Sequence, residues 1–163
     1  MKNHEMRQQL VQLGNGAHAL AIQMLGNADD ATDAVHDAFV KALKQPDAYD
    51  ARTGPLTPWF LRVVRNHCID MIRRRRRGDV DVDDLSDPGP GPEALLETAQ
   101  LDQALQQALS RLSSEQREMI VLRDYMDLSY AEISDVLLIA PGTVMSRLHR
   151  ARMALKEELG SNE

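Results

Sequence analysis

One cysteine, Cys68, and few aromatic side chains (two Phe, three Tyr, one Trp) mark this 163-residue chain. A single cysteine closes no internal disulfide, and no Cys/His spacing matches a structural zinc site, so no metal or redox chemistry is expected. No run of about 18 apolar residues is present to cross a membrane. The opening residues, MKNHEMRQQL, lack the basic-then-apolar order of a signal peptide. A cytoplasmic protein without membrane insertion is therefore expected. A glycine-rich nucleotide loop, a metal-ligand cluster and a nucleophile-base motif are all missing, which argues against an enzyme and against any cofactor. Long alternating apolar/polar runs are absent, and so is a repeat of about 20–50 residues, so neither a sheet protein nor a solenoid is indicated.

What the chain does have is apolar residues at three- and four-residue spacing, as in Leu20 and Met24 or Val35, Phe39 and Leu43. The class is all-α. This spacing predicts helices over about 5–25, with an interruption allowed at Gly14-Asn15-Gly16, then 28–44 and 57–77, and in the second half 93–110, 114–124, 129–137 and 142–158. Pro46, Gly54, Pro55 and Pro58 punctuate the loop before the third helix. Ser113 with Gln116, and Ser129 with Glu132, have capping-box spacing.

The net charge of -6 argues by itself against nucleic-acid binding, but it is unevenly spread. Residues 1–78 carry 12 Lys/Arg against 8 Asp/Glu, residues 79–100 carry 0 against 7, and residues 101–163 carry 7 against 10. The acidic stretch GDVDVDDLSDPGPGPEALLE is rich in Asp, Pro and Gly and poor in large apolar residues, the composition of a flexible linker. The expected organisation is two small helical domains, 1–78 and 96–163, joined by an acidic linker over 79–95.

Residues 112–155 place two short helices about a tight turn, the second of them basic, which is helix-turn-helix organisation. Val144, Leu148, Ala151 and Leu155 share one face of the last helix and leave Met145, Ser146, His149, Arg150 and Met153 pointing away. Thr143 can bond a phosphate near the helix start, and Arg147, Arg150 and Arg152 offer charge to the backbone or a fork to guanine. The plainer reading is an amphipathic helix whose arginines are only solvated.

The segment LSYAEISDVL…GTVMSRLHRAR resembles region 4 of sigma factors of the extracytoplasmic function class. The resemblance implies that this helix reads the duplex minus-thirty-five promoter element through Thr143, Ser146, Arg147 and Arg150. Two positions depart from that pattern: Leu138 stands where the family usually has a glycine suited to a left-handed turn, and Met145 where it commonly has a basic residue.

Residues 17–77, with ADDATDAVHDAFVKAL and PWFLRVVRNHCIDMIRRRRR, resemble region 2 of the same class. Val35, Phe39 and Leu43 make a buried stripe on the second helix, and Asp30, Asp33 and Asp37 an acidic side. Spacing alone favours a solvated acidic face; the resemblance instead implies docking on core RNA polymerase through Asp33, His36 and Asp37. On the third helix Arg62, Arg65, Asn66, Asp70 and Arg73 lie opposite Phe60, Val63, Val64 and Met71, and the basic side runs on through Arg74 to Arg77. Such a face suits a melted strand. Resemblance implies capture of minus-ten DNA by Trp59, Arg62, Arg65, Asn66, Arg73 and Arg74, although Trp59 is equally suited to anchoring a core. His67 and Cys68 read as packed residues.

The resemblance further implies an anti-sigma factor as partner, alongside core polymerase and promoter DNA, and a linker that threads the polymerase cleft. The competing reading is a stand-alone helix-turn-helix regulator, which would bind its operator without polymerase.

Overall fold

The structure, a computed structural model, describes residues 3–78 and 103–160. The linker expected over 79–95, and the beginning of the helix expected from 93, lie outside them.

Three helices make the first half: α1 (Asn3–Leu25), α2 (Ala28–Lys44) and α3 (Leu56–Arg76). Helix α1 runs unbroken through Gly14-Asn15-Gly16, although each mid-helix glycine costs about 1 kcal/mol relative to alanine. Packing supplies a reason for Gly16: a Cβ there would fall on the Met126 side chain, with Sδ 2.9 Å and Cγ 3.0 Å away. Gly26, at φ 72°, ends α1, and Asn27 caps α2 by accepting from the Asp30 amide at 3.0 Å. Asp29 and Asp30 in the first turn of α2, and Lys41 and Lys44 in its last, suit the helix dipole. Helix α3 buries Leu56, Pro58, Phe60, Leu61, Val64 and Cys68, with Phe60 against Phe39 at 5.1 Å between ring centres. Val63 and Met71, expected in that stripe, are only half-buried. Burial pushes the Cys68 thiol up to about 12, so it stays protonated and unreactive.

The second half contains α4 (Gln103–Ser110), α5 (Ser114–Ile120), α6 (Tyr130–Leu137) and α7 (Pro141–Gly160). Both expected capping boxes form: the Gln116 amide donates to Ser113 Oγ at 3.1 Å and the Glu132 amide to Ser129 Oγ at 3.1 Å, and each side chain reaches back to the cap amide. The helix expected to run to 124 widens after Ile120 into a π turn over Val121–Tyr125, where the Met126 amide donates to Val121 O at 2.9 Å.

Helices α1, α2 and α3 pack on one another, and α7 packs on α4, α5 and α6. The halves then meet, α3 against α6 and α1 against α5 and the π turn, and buried residues of both belong to one continuous apolar cluster. Helical modules of this size bury a modest share of their surface alone, so docking extends a small core.

Candidate nucleic-acid interface

Two helices carry the cationic residues singled out by sequence, and the structure treats them differently. Helix α7 is held by Val144, Leu148 and Ala151, all fully buried. Leu155 is half-buried. The turn before it is set by Leu138, in the left-handed region at φ 56° and ψ 47°. The Ile139 amide donates to Ser134 O at 3.2 Å, and Ser134 Oγ donates to Ile139 O. Pro141 stands at the first helical position, where its missing N–H leaves no bond unmade.

This arrangement exposes Met145, Ser146, His149 and Arg150, and leaves Thr143 and Arg147 half-buried. Ser146 Oγ donates to Thr143 O at 3.1 Å, and Arg150 Nε makes a long 3.4 Å bond to Ser146 O. Arg147 pairs with Glu115 at 3.0 Å and Arg152 with Asp124 at 2.6 Å. The hydrogen bond to Asp124 raises the Arg152 guanidinium above its ordinary range. A cleft of about 290 Å³ lies beside Arg147 and Arg150, closed on its other side by Ser113, Glu115, Gln116 and Met119.

On α3 the exposed residues are Asn66, Asp70, Arg73, Arg74 and Arg76. Trp59 is half-buried and packs on Tyr49 at 5.2 Å between ring centres, while the Tyr49 hydroxyl donates to Gly54 O at 2.8 Å and pins the preceding loop. Trp59 is thus both anchor and partial surface. Arg75 bridges to Asp30 and to Leu25 O, stapling the end of α3 to the start of α2. That engagement removes Asp30 from the acidic side expected with Asp33 and Asp37; these two and His36 are exposed.

Arg62 and Arg65 face the second half of the molecule. Arg62 Nη1 donates to Asp135 O of α6 at 3.0 Å, and Arg65 Nε to Glu118 Oε1 of α5 at 3.1 Å. Glu118 is buried, and that burial pushes its carboxyl above the usual range although Arg65 pulls it down. Next to this pair, Ser114 Oγ donates to Gln23 O at 2.6 Å and Arg117 Nε to Gln23 Oε1 at 2.7 Å. A small gap of about 50 Å³ remains between Thr53, Gly54, Pro58, Trp59, Arg62 and Asp135.

Sequence reading did not find Gln23 of α1, which accepts from Ser114 and Arg117, or Glu118, Asp135 and Met126, which meet α3 and α1 from the second half. The available cue was Glu118 standing directly before the apolar run Met119-Ile120-Val121-Leu122. The interruption allowed at Gly14-Asn15-Gly16 does not occur, and Gly16 instead marks a close approach to Met126.

Residues 10–78 match the family Sigma-70 region 2, and residues 102–155 the family Sigma-70, region 4. Among curated relatives, the ECF RNA polymerase sigma factor SigW of Bacillus subtilis is 31% identical over 154 residues, covering 87% of this chain and 82% of SigW. SigE of Mycolicibacterium smegmatis is 34% identical over 150 residues, covering 89% of this chain; the match spans 58% of SigE. Among solved structures, the sigma factor RpoE bound to the anti-sigma factor NepR, from Bartonella quintana, superposes with a TM-score of 0.73 at 28% identity, covering 98% of this chain and 99% of that one. CnrH in complex with the cytosolic domain of CnrY gives a TM-score of 0.69 at 26% identity over 99% of this chain and 92% of CnrH. The chain belongs to the extracytoplasmic function (ECF) family of RNA polymerase sigma factors.

Proposed function

We propose that this chain binds core RNA polymerase and directs it to specific promoters in the cytoplasm, catalysing nothing itself. The observation that carries the reading is a division of faces within one chain: an exposed acidic side on α2, a cationic side on α3 beside an aromatic residue, and a helix-turn-helix whose second helix exposes Ser146 and Arg150. In this reading residues 1–78 act as region 2, 79–95 as an acidic linker and 96–163 as region 4. Asp33, His36 and Asp37 dock on the polymerase. Trp59, Arg62, Arg65, Asn66, Arg73 and Arg74 hold the melted minus-ten strand, where cations neutralise phosphate and an aromatic face receives an unstacked base. Thr143, Ser146, Arg147 and Arg150 read the duplex minus-thirty-five element in the major groove.

Melting follows from selective binding, because a ligand shifts an equilibrium only by its differential affinity for the two states. The basic face of α3 must therefore prefer single strands to duplex. Arg62 and Arg65 have to leave Asp135 and Glu118 before either can meet a strand, so engagement of minus-ten DNA by these two side chains competes with their contact to the second half. An anti-sigma protein is the proposed regulator, supported by the likeness to RpoE and CnrH, each solved with a protein partner.

Run-off transcription from a genomic promoter library with bacterial core polymerase tests the reading. Discrete starts that require both proteins are expected. Sequence-specific binding by the chain alone, with no polymerase-dependent starts, would replace it with a stand-alone regulator.

A further inference from the structure

Among the large apolar residues exposed in the described structure, Met145 and Met153 lie on α7 and are 57% and 51% exposed. The core does not call for Met145, since Val144, Leu148 and Ala151 already fill the buried face. Its exposed neighbours are of another kind: Ser146 follows it, His149 lies one turn on, and Arg150 lies beyond. Along α7 no acidic residue occurs before Glu157, whereas Arg147, Arg150 and Arg152 all precede it. An apolar side chain in a cationic setting of this sort is matched to a polyanion that carries an apolar group. In the major groove of DNA the group that fits is the C5-methyl of thymine. The unbranched thioether of methionine adapts its shape to such a target.

Resting on the proposed function, we infer that Met145 is a specificity residue that packs on a thymine methyl in the minus-thirty-five element. The element then holds thymine at the step facing Met145. Cytosine is disfavoured there because it lacks the methyl group, and the discrimination comes from apolar contact, with Arg150 and Ser146 contributing hydrogen bonds at adjacent steps.

The experiment replaces each thymine of the minus-thirty-five region, one at a time, by deoxyuridine, which removes the methyl and keeps the hydrogen-bonding edge. Affinity is measured for polymerase holoenzyme formed with the full chain, in wild type, Met145→Ala and Met145→Leu. At one or two thymines the methyl deletion should weaken wild-type and Met145→Leu holoenzyme about three- to fivefold, the scale of one buried methyl group. Met145→Ala should lose a similar factor on the thymine promoter and little further on the uracil one. A flat uracil scan with wild type, or equal sensitivity in Met145→Ala, overturns the contact while polymerase-dependent starts keep the initiation reading intact. Unchanged promoter affinity of Met145→Ala overturns it equally and shifts the apolar face to a protein partner. Absence of polymerase-dependent starts removes the initiation reading and the inference together.

Discussion

Helices α3 and α7 are both basic, both amphipathic and both expected to meet DNA, yet within this one structure one face is engaged and the other open. Arg62 and Arg65 of α3 spend their hydrogen bonds on α6 and α5, whereas Ser146 and Arg150 of α7 point outward with bonds only to their own helix. The α3 contact is not built for permanence. Buried ion pairs contribute little net stability because desolvation offsets attraction, and Arg65–Glu118 is such a pair, with side chains 27% and 8% exposed. Gln23 Nε2 is buried without a hydrogen-bond partner, at a cost of about 1–3 kcal/mol. What joins the halves is the apolar cluster that both contribute to, and in the proposed function a strand held on α3 competes with the Arg62 and Arg65 contacts beside it.

The largest expected effect breaks the open side. Arg150→Ala should weaken polymerase-dependent promoter binding by roughly tenfold to a hundredfold if the guanidinium makes a bidentate base contact, and should abolish discrimination at one base pair. Footprints on promoters carrying each base at that position measure it. A uniform loss across all sequences would instead assign Arg150 to a phosphate.

The next effect breaks the closed side without touching any residue assigned to DNA or polymerase. Gly16→Leu puts a side chain where Met126 lies, and overpacking of this kind costs about 1–3 kcal/mol. The substitution also improves helix propensity in α1, so the first half should keep its fold. Small-angle scattering should report a larger radius, and the free chain should bind single-stranded minus-ten DNA more tightly. An unchanged radius with unchanged strand binding would mean that Met126 simply swings aside.

That wedge also shows what the sequence could and could not disclose. Element positions were legible, since capping boxes at Ser113 and Ser129 and the Asn27-Ala28 start are local chemistry. The α7 face was legible too, because Val144, Leu148 and Ala151 fix its orientation whatever else the chain does. The engagement of Arg62 and Arg65 was not, because their partners lie 73 and 53 residues away and helical periodicity carries no information at that distance. The π turn escaped for a related reason: its apolar spacing reads like an ordinary helix, and the extra residue is accommodated by packing against α1.

A pH comparison sharpens the closed contact further. The folded Glu118 carboxyl titrates above its unfolded value because burial disfavours the charge. Its contribution to stability is then fully present below the unfolded carboxylate range and is lost as pH rises through the folded value. Glu118→Gln removes that dependence. Relative to wild type, its unfolding midpoint should therefore gain as pH is raised from 4.5 to 8. A difference between the two proteins that stays constant with pH would mean that Arg65 compensates the buried charge completely.

The smallest expected effect is confined to the open half. Leu138 holds a left-handed conformation at φ 56° with its side chain 78% exposed, so it bears the strain of the turn without repaying it in packing. A non-glycine residue there costs about 1–2 kcal/mol, and glycine recovers this while giving back about 0.5–1 kcal/mol in unfolded-chain entropy. Leu138→Gly should thus stabilise the chain by up to about 1 kcal/mol, a rise in Tm of about 2–4 °C for a protein of this size. Because the turn orients α7 and lies outside the Arg65–Glu118 pair, single-strand binding by the free chain should not change. If Tm falls instead, Leu138 covers apolar surface in solution; if strand binding rises with Tm unchanged, the turn communicates with α6 and the two faces are coupled through Asp135.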